Sequence, residues 1–187
     1  MASIHNSQRS DIEVLPDVLT AGLDIVFCGT APGMQSARRK AYYAGPGNAF
    51  WSTLHEVGLT PRRFAPEEYA QVTGHGIGLT DLAKYTSGSD SVLSAADFAP
   101  RDLRKKLLKY RPKILAFTSK RAAQEFMGHP LDYGLVPVLS EGARLFVLTS
   151  PSGLARSYWQ DGRYWRELAD LRRRLFERPA SAVNRWV

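Results

Sequence analysis

Short apolar runs alternate along the chain with polar, amphipathic stretches. The first run, Leu23–Cys28, is rich in β-branched and aromatic residues. It stops at the turn Gly29-Thr30-Ala31-Pro32-Gly33, which marks a buried strand. From Asn48 onward, Phe50, Trp51, Leu54 and Val57 recur at three- and four-residue spacing. That spacing predicts an amphipathic helix with Asn48 as its N-cap and Gly58 as its stop. Pro66-Glu67-Glu68 opens a second short helix. Gly76–Thr80 reads as a second buried strand that delivers Asp81 to its end, and its glycines point to a close backbone approach. Pro100–Tyr110 predicts a basic helix with Leu103, Leu107 and Leu108 inward. Ile114–Thr118 follows as a third strand and Arg121–Met127 as a short helix. Val136–Leu139 is expected as a minor extended piece and Arg144–Leu148 as the last core strand. A closing helix, Tyr164–Phe176, carries Trp165, Leu168, Leu171 and Leu175 on one face.

Strands alternating with helices imply an α/β fold with a mostly parallel, four-stranded sheet covered on both faces. The strand ends at Gly29, Asp81, Thr118 and Ser150 then share one edge, where ligands sit in such sheets. Residues 1–22, polar and interrupted by Pro16, read as a loosely attached lead-in. One domain spans 23–178, and 179–187 form a tail.

Composition narrows the partners. The single cysteine, Cys28, excludes a disulfide within the chain and is expected to be a buried thiol. The histidines His55, His75 and His129 lack ligand spacing, and His75, just before the second strand, is the one expected nearest the site. No apolar run approaches the roughly 20 residues that span a bilayer, and the N-terminus has no signal core. A cytoplasmic location is expected, on the nucleoid in a bacterium. The net charge of +7 and pI near 9.7 favour a polyanionic partner.

Four ordered motifs then carry a resemblance. Gly29-Thr30-Ala31-Pro32-Gly33-Met34 resembles the first motif of the uracil-DNA glycosylase superfamily. The segment Tyr42-Tyr43-Ala44-Gly45-Pro46-Gly47-Asn48-Ala49-Phe50-Trp51 is similar to the one that follows it in the mismatch-specific uracil/thymine glycosylases. Gly78-Leu79-Thr80-Asp81 aligns with that group's middle strand. Ser150-Pro151-Ser152-Gly153-Leu154-Ala155-Arg156 resembles its second motif.

The resemblance implies a three-layer α/β/α sandwich that extrudes a base from DNA and breaks its N-glycosidic bond, with no metal or organic cofactor. Extrusion is required because the glycosidic carbon is shielded in the duplex. By resemblance, Leu154 is the wedge that fills the vacated space and Arg156 contacts phosphate or the opposite strand. Pro32, Gly33, Met34, Ser152 and Gly153 line the DNA, with small residues exposing backbone N–H groups. Tyr43 matches the aromatic on which the base stacks, and Gly29 and Ala31 border the base. The basic run Arg38-Arg39-Lys40 either tracks the DNA backbone or forms a solvated face.

The chain departs from the family at the catalytic positions. Ala31 stands where the mismatch-specific enzymes carry a water-positioning asparagine. Thr30 stands where the thermophile-type branch, which shares the alanine-proline pair, carries an acidic residue. Ser150 replaces an asparagine or histidine that helps stabilise charge on the pyrimidine; its hydroxyl donates one hydrogen bond and carries no charge. Asp81 occupies the place of a base-reading asparagine. Ionised, it accepts the uracil N3–H but repels O4; protonated, it donates to O4. It could equally hold the water or offset the oxocarbenium-like charge on the sugar. Asn48 is either an ordinary cap or a residue that orients water or phosphate.

The expected function is therefore monofunctional removal of uracil from DNA by hydrolysis, leaving an abasic site. The catalytic candidates are Asp81, Asn48, Ser150 and Thr30. A monomer acting on uracil-containing DNA is expected, with no membrane partner. Two alternatives stay open: the same fold acting on hypoxanthine, xanthine or G·T-mismatched thymine, or a weakly catalytic protein that binds lesions or abasic sites.

Overall fold

A computed structural model describes residues 12–153 and 162–176. Its centre is a five-stranded sheet in the order β2-β1-β3-β5-β4. The strands are β1 (Ile25–Gly29), β2 (Ile77–Asp81), β3 (Ile114–Phe117), β4 (Gly134–Ser140) and β5 (Ala143–Val147). β1 pairs parallel with β2 and β3, and β3 pairs parallel with β5. β4 runs antiparallel along the edge beside β5.

Successive side chains on a strand face opposite ways, so β1 divides the core in two. Ile25 and Phe27 join a cluster with Phe50, Leu54, Trp165 and Leu168 on one face of the sheet. Val26 and Cys28 join Leu103, Leu107, Ala122 and Phe126 on the other. The first layer contains helices α2 (Phe50–Glu56) and α5 (Arg163–Phe176), the second α3 (Pro100–Tyr110) and α4 (Lys120–Met127). The expected three-layer α/β/α sandwich is present. Cys28 is fully buried, and burial pushes its thiol well up.

Three expectations change. The sheet has five strands rather than four, because Val136–Leu139 belongs to the full edge strand β4. Pro137 interrupts its apolar pattern and a bulge lies between Leu135 and Leu139, features that an edge strand tolerates. Glu141 and Gly142 close the hairpin with φ of 49° and 86°, the left-handed pair that a tight β-turn of this hand requires. Second, Leu108 is 60% exposed rather than inward, while Leu103 and Leu107 carry the buried stripe of α3. Third, the basic run before Lys40 belongs to a short helix, α1 (Met34–Arg39), that ends with Lys40 in the left-handed region. Pro66–His75 forms the expected short helix, wound as 3₁₀.

Residues 12–22 are fastened rather than loose. Leu15 is fully buried, and Val18 bridges Leu79 through hydrogen bonds of 2.9 and 3.0 Å. Inside this strap, the Lys84 ammonium donates to Leu15 O at 2.6 Å, to Asp17 Oδ1 at 2.8 Å and to Tyr42 Oη at 3.4 Å. Asp17 also accepts from Thr80 Oγ1 at 2.7 Å and pairs with Lys106 at 2.5 Å. Burial alone would raise the Asp17 pKa, but the Lys84 charge and these hydrogen bonds hold it below the usual carboxylate range.

Gly78 is where the strap comes closest to the sheet. A Cβ there would stand 2.8 Å from Val18 O and 2.6 Å from Leu23 Cδ1. Gly78→Ala should therefore cost about 1–3 kcal/mol through overpacking. Chemical denaturation measures the loss, and limited proteolysis should show faster cutting within 12–22. Unchanged stability and cutting would mean the strap is not seated on β2.

Candidate active site

The carboxyl ends of β2, β1 and β3 place Asp81, Gly29 and Thr118 side by side. Gly29 pairs in register with Asp81, and Thr118 directly follows β3. A Cβ on Gly29 would stand 2.5 Å from Asp81 Oδ1 and 3.7 Å from Thr118 Oγ1. Glycine at 29 is thus the condition for the Asp81 carboxyl to lean across the end of β1.

Asp81 is only 5% exposed, and its Oδ2 finds no hydrogen-bond partner among the described residues. Such a buried, unpaired polar atom is costly and calls for an explanation. Burial raises the Asp81 pKa to about 7. The Lys84 charge pulls against that shift, Asp17 adds to it, and Lys106 weakly opposes it. Near neutral pH the group therefore exists in both forms.

Tyr43 stands over this floor. Its ring stacks on Phe50 at 3.7 Å between centroids and 14° between planes, on a backbone with φ of 54°. A left-handed backbone on a bulky residue is unusual and marks a constrained position. The Tyr43 hydroxyl donates to Thr118 Oγ1 at 3.5 Å. Burial, reinforced by Asp81, raises the Tyr43 phenol well above its ordinary pKa, so it remains a donor. Tyr42 and Trp51 are core residues joined by a bond from Trp51 Nε1 to Tyr42 O at 3.0 Å.

Two loops flank the tyrosine and hold each other. Ala49 N donates to Pro151 O at 2.8 Å, and a Cβ on Gly153 would lie 2.9 Å from Pro46 O. Ser150, Ser152 and Gly153 are thereby set beside Gly45-Pro46-Gly47, and Ser150 Oγ accepts from Ser152 N at 3.3 Å. The N-cap of α2 is Ala49 rather than the expected Asn48, whose Oδ1 accepts from Phe50 N at 3.0 Å in a local turn just before the helix.

The first motif is fixed differently. Thr30 Oγ1 donates to Asp90 Oδ1 at 2.7 Å, and Gly88 N donates to Pro32 O at 3.0 Å, stitching the 86–92 loop onto it. Ala31 packs against the core layer of α3 and α4. Pro32 is buried, whereas Gly33 is exposed and Met34 is 54% exposed. Arg39 is paired with Glu67 and donates to Ala44 O at 3.1 Å, so it braces the loop before Tyr43. Leu154 and Arg156 lie outside the described residues.

The structure thus gathers Gly29, Asp81 and Tyr43 and brings the Ser150 loop against the Asn48 loop. Thr118 joins the group although its sequence signal was only its place at a strand end. His75, by contrast, precedes β2 and sits at the opposite, amino edge. There its carbonyl accepts from Arg172, which also pairs with Asp24 at 2.9 Å in a groove bordered by Leu59 and Gly76. Among the described residues, no three of His, Cys, Asp and Glu are grouped as a metal would require.

The buried acid makes stability depend on pH. Asp81 stays protonated in the fold from its unfolded pKa near 3.8 up to about 7, so its charge costs stability increasingly across that window and fully above it. Asp81→Asn, which cannot ionise, should gain stability over the native chain at pH 8, with a ceiling of about 4 kcal/mol. It should show no such gain at pH 3. Melting curves at both pH values test the sign, with a shift of roughly 5 °C at pH 8 a realistic reading.

Comparisons with known proteins bear on the fold and the family. A solution NMR structure from Methanosarcina acetivorans, named a “putative Uracil DNA glycosylase”, superimposes with a TM-score of 0.59 at 23% identity. The match covers 86% of this chain and 96% of that one, and it shows the fold to be shared. The family model described as the uracil DNA glycosylase superfamily matches residues 16–169. That span takes in β1 to the middle of α5, and the chain belongs to the uracil DNA glycosylase superfamily.

Proposed function

We propose that the protein removes uracil from DNA by hydrolysing its N-glycosidic bond, leaving an abasic site. The observation that carries this reading is the buried carboxyl of Asp81 at the strand end near Tyr43, whose Oδ2 has no partner among the described residues. A neutral carboxylic acid offers one donor and one acceptor, as a carboxamide does. Those are the partners needed by O4 and N3–H of a uracil stacked on Tyr43. Stacking of that kind is worth roughly 1–3 kcal/mol.

The same contact favours the reaction. As the bond from C1′ to N1 breaks, its electron pair passes to the pyrimidine and negative charge builds on the carbonyl oxygens. A donor already aimed at O4 holds that charge more strongly than it holds the neutral base. Water then attacks C1′, and the proton it loses passes through solvent to the departing uracil anion. Ala31 brings no side chain to position that water, and the Thr30 hydroxyl is committed to Asp90. Asn48 and Ser150, on the loops that flank Tyr43, are the polar side chains proposed to meet the sugar side. Leu154 and Arg156 are proposed as wedge and phosphate contact, with Gly33, Met34, Ser152 and Gly153 along the DNA; Pro32, expected there too, is buried and shapes the loop from behind. No lysine stands in the matched motifs to form a covalent link to the sugar, so the proposed enzyme is monofunctional.

Duplex and single-stranded DNA bearing uracil, hypoxanthine or G·T-mismatched thymine, scored for strand cleavage after alkali, tests the reading. Uracil release is expected, with a rate that falls as pH rises through about 7, where Asp81 loses its proton. Asp81→Asn should keep activity and extend it to higher pH, while Asp81→Ala should lose about 10–100-fold. No release of uracil would overturn the function. A rate that climbs above pH 7 and disappears in Asp81→Asn would make Asp81 the water-activating base instead.

A further inference from the structure

We propose that Thr118 is a second base-contacting residue, whose hydroxyl hydrogen-bonds a carbonyl oxygen of the extruded pyrimidine opposite Asp81. The inference rests on the reading of the site as a uracil pocket. It extends that reading to a residue outside the recognised motifs.

The argument begins with sheet order. β1 lies between β2 and β3, so the end of β1 has Asp81 on one side and Thr118 on the other. Because the middle position is Gly29, both polar groups border the same space: a Cβ there would be 2.5 Å from Asp81 Oδ1 and 3.7 Å from Thr118 Oγ1. The Thr118 side chain is 5% exposed, so its hydroxyl must be satisfied from within the protein or by a ligand.

What satisfies it internally is weak. Thr118 Oγ1 donates to Cys28 O at 3.5 Å and accepts from the Tyr43 hydroxyl at 3.5 Å. Both contacts are at the outer limit for hydrogen bonding. A base stacked on Tyr43 presents its polar edge to the floor formed by these residues. The Thr118 proton then exchanges a long bond to Cys28 O for a shorter one to a pyrimidine carbonyl, while Tyr43 continues to donate to the same oxygen. A hydroxyl polarised in this way is a stronger donor than an isolated one.

With Asp81 taking two neighbouring groups of the edge and Thr118 a further carbonyl, O4, N3–H and O2 of uracil each meet a partner on the floor.

Thr118→Val keeps the shape and removes the hydroxyl, and Thr118→Ser restores it. Excision from DNA containing uracil, 2-thiouracil or 4-thiouracil is measured for each protein, sulfur being a poor hydrogen-bond acceptor. Thr118→Val should lower kcat/KM on uracil about tenfold, and Thr118→Ser should recover most of it. On one of the two thio-substrates the native chain and Thr118→Val should become nearly equal, which identifies the carbonyl that Thr118 contacts. Should Thr118→Val cut activity by the same factor on all three substrates, its role is packing and the inference fails. Equal activity of native chain and Thr118→Val on uracil overturns it as well. If the native chain releases no uracil while its circular dichroism shows a folded protein, the uracil reading itself fails, a result distinct from either.

Discussion

The site depends on a carboxyl group that has been taken out of water, with one oxygen that no described residue pairs. Asp81 is carried to the sheet's edge by β2, and the parallel register sets it against Gly29. Any side chain at 29 would occupy the place its Oδ1 takes. Hydration is replaced by apolar walls and by the distant pull of Lys84 and Lys106, which restrains the rise in pKa without supplying a direct contact. A domain that tolerates such a group carries a cost in stability, and a cost of that kind points to a use for the group.

The elements around it restrict motion in complementary ways. Tyr43 is clamped between Phe50 beneath its ring and Thr118 at its hydroxyl, on a backbone conformation that few residues adopt willingly. The loops at 45–49 and 150–153 are joined by a main-chain hydrogen bond and by a glycine packed on a carbonyl. The first motif is stitched to the 86–92 loop through Thr30 and Pro32. Residues far apart in sequence thus meet as loops whose positions are mutually dependent.

Much of this was legible in the sequence because it follows from periodicity. β1, β2, β3, β5, α3 and α5 are strong patterns, and parallel strands bring their ends to one edge, which predicted the company of Gly29 and Asp81. β4 was read short because Pro137 breaks its apolar alternation, and edge strands are defined by what they lack on one side. The amphipathic spacing of α3 puts Leu108 inward, yet the helix buries only a narrow stripe through Leu103 and Leu107. Thr118 could not be chosen from sequence: its meaning comes from strand order, which decides that β3 rather than β5 borders β1. The Thr30–Asp90 bond spans 60 residues and no local pattern announces it.

The buried Lys84 gives the segment before β1 a consequence for the pocket. Its ammonium is neutralised mainly by the strap, through Leu15 O and Asp17, and it reaches Tyr42, the neighbour of the stacking ring. A chain begun at Leu23, where the domain outwardly starts, would strand a cation in the interior beneath the aromatic pair. The first visible symptom of trimming the amino end would therefore arise at the candidate site around Tyr43, through an electrostatic fault in the interior.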